Sequence, residues 1–278
     1  MTTATDPPVI TLLTDYGLAD EFVGVLHGVI ARICPQARVI DLSHGVPPQD
    51  VPAGAAMLLH ALPYLPVGVH VGVVDPTVGA DRRAVALRLA DGRTLVGPDN
   101  GLFWPAAQAG GGVVAAVEIS ASPWVLQPLA ATFHGRDIFA PVGAQLAAGR
   151  PIEEAGTAFD PAELVTLELP SATIDGDTLI ATVIGADHFG NVQLGAASAD
   201  LDSLGASAGA TFEVTLASGD AHSARHARAF ADGAPGELLL FEDSSAQLAL
   251  ACYRGSAQAR LGVRGGDSVR VRPAPAHG

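Results

Sequence analysis

Through the first half of the chain, short apolar runs alternate with longer stretches of helical periodicity, the pattern of a sheet covered by helices on both faces. Val9 to Leu13 predicts a strand. Asp20 to Cys34 predicts a helix, with Asp20 as its cap, Phe22, Val25, Leu26, Val29, Ile30 and Ile33 at helical spacing, and Pro35 as its stop. Arg38 to Leu42 predicts a second strand, Val51 to Leu62 a helix, and Val67 to Val74 a strand buried on both faces. Ala84 to Leu89 and Thr94 to Val96 predict a hairpin around Asp91-Gly92, Val113 to Ile119 a further strand, and Ile138 to Ala148 a helix ended by Gly149. From about Pro161 the runs shorten: TLIATVI, TFEVTL, GELLLF, QLALAC and SVRVRP recur, divided by Gly, Asp and Ser, which predicts a small β barrel or sandwich. The change falls in the segment Gly156 to Ser171, where Pro161 and Pro170 flank a polar stretch, and divides the chain into domains 1–160 and 161–278. The tail PAPAHG is expected to fray.

A length of 278 residues agrees with two domains at about 150 residues each. Hydrophobic residues make up 49% and charged residues 16%, against a usual charged share of about 25%, so a sizeable core forms and disorder is excluded. All 15 cations are arginine. The absence of lysine excludes a Walker A phosphate loop, a kinase strand lysine and Schiff-base chemistry. A formal charge of −14 argues against nucleic acid as a partner, because neutralising phosphates needs basic stripes. Cys34 and Cys252 form no CxxC, so neither a zinc knot nor a disulfide framework is expected, and a reducing cytoplasm fits. The N-terminus shows no signal-peptide pattern. Val51 to Val74 carries no charged residue, yet Pro63 and Pro66 break it and His60 and His70 interrupt it, so a buried helix, turn and strand are expected in place of a membrane span.

Three motif-like features carry little chemistry. Gly205 to Gly209 reads GxSxG, but a polar segment precedes it and a strand follows, the reverse of a nucleophile elbow. His222 and His226 have metal-ligand spacing for a helix but lack a nearby third ligand, and a solvated loop is expected there. Gly110 to Gly112 lacks the spacing of a dinucleotide loop. More informative are polar clusters placed where apolar strands end. LLTDYG puts Asp15 beyond the first strand, VVDPTVGADRR puts Asp75 beyond another, VGPDNG puts Asp99 and Asn100 beyond a third, and TFHGRD sets His134, Arg136 and Asp137 ahead of a helix. Such residues populate turns in any protein. Strand C-terminal ends are also where open α/β sheets bind ligands, so the clusters converge on one crevice.

TDYGLADEFVGVLHGVI, IDLSHGVPPQD, VVDPTVGADRR, GPDNG, TFHGRDIFAPV and ADHFGN, in this order, closely resemble the S-adenosyl-L-methionine hydroxide adenosyltransferase family, relatives of the adenosyl-fluoride and adenosyl-chloride synthases. The resemblance spans nearly the whole chain. It implies an N-terminal α/β/α sandwich domain, a smaller C-terminal β-barrel-like domain, and a homotrimer binding S-adenosylmethionine between domains of neighbouring subunits. It also implies hydrolysis of that substrate to adenosine and methionine, with no cofactor and no metal. Carried over motif by motif, Asp75, Arg82 and His134 match the water-activating triad. Arg83 is the rival for Arg82, but an apolar run from Ala84 makes it the strand-edge cation. Asp15 resembles the ribose-hydroxyl acceptor, and Asp20 and Asp187 resemble groups near the methionine ammonium. Phe189 and Asn191 resemble the adenine side, with Phe230 as a further wall, and Ser244 resembles a methionine carboxylate contact. The N-terminal domain would thus carry the triad and the C-terminal domain the adenine and methionine contacts.

The residue types suit the chemistry. A sulfonium leaves as a neutral thioether without acid assistance, so the limiting task is to orient water in line and remove its proton. Three competing functions use the same residues. A halide adenosyltransferase is disfavoured because the Asp75 carboxylate would repel a halide at short range. Gln49 stands where the fluoride enzyme has an aromatic, and RLADGRTLVGPDNG leaves no room for that enzyme's long insertion. A non-catalytic adenosine or S-adenosylmethionine sensor has no need of a base, and a metal hydrolase built on Asp15, Asp75 and His134 would be sensitive to a chelator.

Overall fold

The computed structural model describes residues 6–205, 207 and 209–275, and its contacts divide the chain into two compact units, 1–168 and 169–278. The first unit is a mixed seven-stranded sheet with helices on both faces. In chain order it comprises β1 (Val9–Thr14), α1 (Phe22–Ile33), β2 (Arg38–Ser43), α2 (Val51–Ala61), β3 (Val69–Val73), β4 (Ala84–Leu89), β5 (Thr94–Pro98), α3 (Trp104–Ala109), β6 (Val113–Glu118), α4 (Ala140–Ala147) and β7 (Thr157–Phe159). The sheet order is β2-β1-β3-β5-β4-β6-β7. Strands β2, β1, β3 and β5 are parallel, while β4, β6 and β7 join antiparallel to their neighbours.

The alternation along β3 assigns the two layers. Val69, Val71 and Val73 enter a core with Leu26 and Ile30 of α1 and Val142 and Leu146 of α4. Gly72 faces the opposite side, where Leu102 and Phe103 ahead of α3 approach its Cα. Helix α2 covers that second side, with Gly54 against Leu102 and Val74. The chain leaves β1 through α1 to β2 on one flank, then returns through α2 to β3 on the other. A topological switch therefore lies between β1 and β3.

The second unit is a closed barrel. Strands β9 (Thr178–Ala186), β10 (Val192–Ala197), β14 (Gln247–Cys252), β13 (Leu238–Glu242), β12 (Ala221–His226), β11 (Thr211–Leu216) and β15 (Ser268–Pro273) follow one another around it. The β9–β10 pairing closes the ring, and the short β8 (Thr173–Asp175) adds to β9. Period-two burial fills the interior: Leu179, Ala181 and Val183 from β9, Phe212 and Val214 from β11, and Val269 and Val271 from β15. Closure leaves no long unpaired edge on these seven strands.

Several local expectations are corrected. Helix α1 starts at Phe22 with Glu21 at its cap position, and Asp20 makes no capping bond. Helix α2 does carry a side-chain cap, Asp50 accepting from the Ala53 N–H at 3.0 Å. Helix α4 is entered through one π turn, Gly135–Phe139. Helix α3, only six residues long, gave no periodic signal, and Gly110 closes it. His222 and His226 lie on β12, not on a loop, and four residues along a strand separates them by about 13 Å, too far for one metal. Ala206 and Ala208 of the GxSxG pattern, and Ala276 to Gly278 of the tail, lie outside the described residues.

One buried group ties the fold to pH. His70 on β3 is 1% exposed, its Nδ1 lies 2.9 Å from Thr11 Oγ1 of β1, and its Nε2 is buried without a partner. Burial first, and the nearby Arg93 guanidinium second, push this imidazole from 6.5 down to about 4. The unfolded chain therefore takes up a proton at a higher pH than the folded chain does. Stability from this group is complete above pH 6.5 and is lost as the pH falls toward 4, by about 3 kcal/mol in all. Chemical denaturation between pH 7 and 4 is expected to show this loss, and His70→Leu is expected to flatten that part of the curve. An unchanged pH slope in the variant would count against it.

Candidate active site

Strand ends bring the first unit's polar clusters together. Asp15 follows β1 and Asp75 follows β3, so the two carboxylates flank the switch point. Because β4 runs antiparallel to β5, the residues entering β4, Arg82 and Arg83, lie at the same edge of the sheet. His134 stands immediately before the π turn that opens α4. The Asp75 carboxylate and the Arg82 guanidinium pair with side-chain exposures of only 4% and 9%. Arg82 Nε donates to both carboxylate oxygens at 3.2 and 3.1 Å, and Nη2 donates to Oδ2 as well. The same Nη2 lies 2.8 Å from His134 Nδ1. A guanidinium has no acceptor, so Nδ1 must accept, and the proton of a neutral His134 sits on Nε2. Burial first, then Arg82, hold this imidazole below its ordinary 6.5 against the opposing pull of Asp75 and Asp137. Phe139, from the π turn, lies 5.3 Å beneath the Arg82 guanidinium.

Arg83 is engaged elsewhere. Its Nε donates to Asp99 Oδ2 at 3.0 Å, its Nη1 to Glu163, and its guanidinium stacks 4.4 Å over Phe159. Asp99 in turn accepts from the Val165 N–H at 2.9 Å, so this cluster fastens residues 163–165 to the sheet. Asn100 serves the site indirectly, its Nδ2 donating to the Val74 carbonyl at 2.8 Å and fixing the peptide that leads into Asp75. Arg136 pairs with the buried Asp137, which also accepts from the Ala130 N–H at 2.8 Å.

Tyr16, quoted only as part of a motif at the level of sequence, proves to be part of the site's wall. Its ring meets Phe22 and Phe133 edge-on at 5.8 and 6.0 Å. Its hydroxyl approaches Gly135 so closely that any Cβ there would collide with it, which explains the glycine. Burial first, then the carboxylates of Asp15 and Asp75, raise the phenol above its ordinary value, so it stays protonated. Asp15 accepts from the Gln49 N–H through Oδ2 at 2.9 Å. Asp20 is exposed ahead of α1, with no hydrogen bond to the Asp75–Arg82–His134 group.

The barrel unit gathers the remaining five residues named from the sequence. Asp187, Phe189, Asn191, Phe230 and Ser244 line one cavity of about 450 Å³. Asp187 organises the turn after β9, accepting from the Phe189 and Asn191 N–H groups at 2.9 Å and from Asn191 Nδ2 at 2.7 Å. Gly190 is needed in this turn, since its φ is +80° and a Cβ would strike the Ser256 side chain. Phe189 is 75% exposed and Phe230 45%, with Phe230 braced edge-on by Phe241 at 5.0 Å. Two exposed aromatic faces beside an amide and carboxylates suit a flat, polar-edged ring. Among the described residues no three His, Cys, Asp or Glu side chains converge as metal ligands do. Between Asp75 and His134 the positive charge is already supplied by Arg82.

Two family models match the chain: the SAM hydroxide adenosyltransferase N-terminal domain over residues 10–156 and its C-terminal domain over residues 181–270. The chain is 50% identical over 264 residues to a (R)-S-adenosyl-L-methionine hydrolase of Salinispora tropica, covering 95% of this chain and 97% of that protein. A fluorinase of Nocardia brasiliensis is 29% identical, with 95% and 97% covered. Among solved structures, an uncharacterized conserved protein from Thermotoga maritima superposes with a TM-score of 0.87 at 33% identity, covering 95% of this chain and 99% of that one.

The Arg82 hydrogen bond to Nδ1 fixes a tautomer of His134 that NMR can read. At pH 7 the His134 ring is expected to carry its proton on Nε2 alone and to titrate below 6.5. Arg82→Gln removes a charge that lowers it, so its midpoint should rise. A proton on Nδ1, or a midpoint unmoved by the substitution, would contradict the assignment.

Proposed function

From the premise that the chain belongs to the SAM hydroxide adenosyltransferase family, we infer that it is an enzyme hydrolysing S-adenosyl-L-methionine to adenosine and L-methionine. The sulfonium epimer is taken to be the (R) form named for the relative at 50% identity. The observation that carries the mechanism is the single Arg82 guanidinium shared by Asp75 and His134 at the sheet's switch point. Water held there attacks C5′ in line. The new C–O bond forms as the C5′–S bond breaks, its electron pair goes to sulfur, and methionine leaves as a neutral thioether. The water proton goes to the Asp75 carboxylate. A neutral His134 has its one free lone pair committed to Arg82, so its Nε2–H donates to the water oxygen and orients it. Arg82 holds the Asp75 carboxylate in place, and it compensates the negative charge gathering on oxygen beside two side chains that are almost wholly buried.

Asp15 accepts the ribose hydroxyls through Oδ1, since Oδ2 is taken by Gln49. Phe189 and Phe230 sandwich adenine, Asn191 meets its edge, Ser244 receives the methionine carboxylate, and Asp20 and Asp187 attract the ammonium. Halide transfer is disfavoured by charge, because Asp75 would stand against an incoming anion. A homotrimer in the cytoplasm completes the proposal. Cys34 and Cys252 are both free thiols, as a reducing compartment requires, and among the described residues no helix is long and apolar enough to cross a membrane.

Incubation in ¹⁸O-water with a chelator present is expected to place one label in the 5′-hydroxyl of adenosine and none in methionine. The (R) epimer should disappear first from an epimeric mixture. Intact substrate would point to a sensor, loss of activity with chelator to a metal hydrolase, and halide-dependent 5′-halo-adenosine to a synthase. Asp75→Asn is expected to lower kcat by about 10²–10⁴-fold with folding preserved, as loss of a general base does. A kcat within about threefold of wild type would remove Asp75 from that role.

A further inference from the structure

Of the segment IDLSHGVPPQD only Gln49 has a role so far, through its N–H on Asp15, and His44 has none. The structure folds this segment against the loop that carries Asp15. Thr14, at the end of β1, and His44, just after β2, are both buried, with Thr14 Oγ1 at 2.8 Å from His44 Nδ1. The Thr14 oxygen also accepts from the Tyr16 N–H at 3.2 Å. Backbone bonds tie the same two segments: the Gly17 N–H donates to the His44 carbonyl at 2.7 Å and the Val46 N–H to the Thr14 carbonyl at 3.4 Å. Gln49 completes the cradle by donating its N–H to Asp15 Oδ2 from a left-handed backbone, φ +67°, a conformation uncommon for a non-glycine residue.

Outside His44 stands Asp41, its Oδ1 2.8 Å from His27 Nε2 and 3.1 Å from His44 Nε2. The second contact is short but off-line for a hydrogen bond, so it acts on His44 as a charge. That charge favours the imidazole proton on Nε2, leaving Nδ1 to accept from the Thr14 hydroxyl while the Thr14 oxygen accepts from Tyr16. Every polar atom facing the loop is then satisfied in one arrangement.

We propose that His44 is a positioning residue that sets the loop Thr14–Gly17, and through it the direction of the Asp15 carboxylate, for the ribose of the substrate. The proposal rests on the reading of Asp15 as the ribose acceptor. It separates His44 from the chemistry at C5′, because the bonds it governs end on a binding group and on the backbone of Tyr16. Removing the acceptor at Nδ1 should therefore act on KM more than on kcat. An asparagine, whose Oδ1 stands the same number of bonds from the backbone, should restore it.

The test compares His44→Leu, His44→Asn and Thr14→Val in the full chain, by steady-state kinetics and by hydrogen exchange of the Tyr16 and Gly17 amides. His44→Leu and Thr14→Val are expected to raise KM about tenfold or more, to leave kcat within about threefold, and to speed exchange at both amides; His44→Asn should stay within about threefold of wild type throughout. If His44→Leu fails to fold, His44→Ala takes its place in the comparison with His44→Asn, because Thr14→Val also removes the acceptor of the Tyr16 N–H and so reports on the loop as a whole. Unchanged KM and exchange in Thr14→Val, an asparagine variant as impaired as leucine, or a fall in kcat at constant KM would each overturn the proposal. A wild-type protein inert toward S-adenosylmethionine would overturn the assigned activity instead, and the amide exchange rates would still show whether His44 holds the loop.

Discussion

The site in the first unit depends on one guanidinium kept buried between a carboxylate and an imidazole. Removing a charge pair from water is expensive, and it is tolerated only where geometry and further hydrogen bonds compensate. Arg82 meets that condition by giving two nitrogens to Asp75 and one of them also to His134, with the Phe139 ring beneath it. Asp75 and Arg82 come from one short stretch of chain and His134 from another, 52 residues beyond Arg82, so the trio is complete only where the sheet edge meets the start of α4. The switch between β1 and β3 opens the crevice, Asn100 fixes the peptide before Asp75, and the π turn places His134 at the head of α4.

The arrangement divides labour by electrostatics. Because the arginine proton is never given up, it decides which nitrogen of His134 is free, and the imidazole becomes a donor. In the proposed mechanism the carboxylate is then the proton acceptor. A lysine in place of Arg82 would offer a point charge in place of a planar fork and would not hold both neighbours in register. The chain contains no lysine at all.

Much of this was legible in the sequence, and the reasons are particular. Apolar runs ending in Asp15, Asp75 and Asp99 mark strand C-termini because β-branched and aliphatic residues leave little ambiguity about a buried parallel strand. The barrel was visible in the alternation of TFEVTL and SVRVRP, whose inward residues are Phe212, Val214, Val269 and Val271. What the sequence hid depends on contacts between distant segments. Tyr16 touches Gly135 across more than a hundred residues, and His44 reaches Thr14 across the β2–β1 pair; no local pattern announces either. Strand β12 was hidden for a different reason. AHSARH has weak alternation, and its place is fixed by pairing with β11 and β13. The cap of α1 misled because an acidic residue before an apolar run is a common signal, while here the chain turns one residue later.

A crystal structure with adenosine bound would show whether Asp75 and His134 hold the attacking water, since in the proposed reaction the 5′-oxygen of that product is the atom delivered by water. This oxygen is expected within about 3 Å of both the Asp75 carboxylate and His134 Nε2, with Arg82 still spanning the two side chains. An adenosine whose 5′-oxygen lies out of reach of Asp75, or a site in which Arg82 has let go of either neighbour, would contradict it.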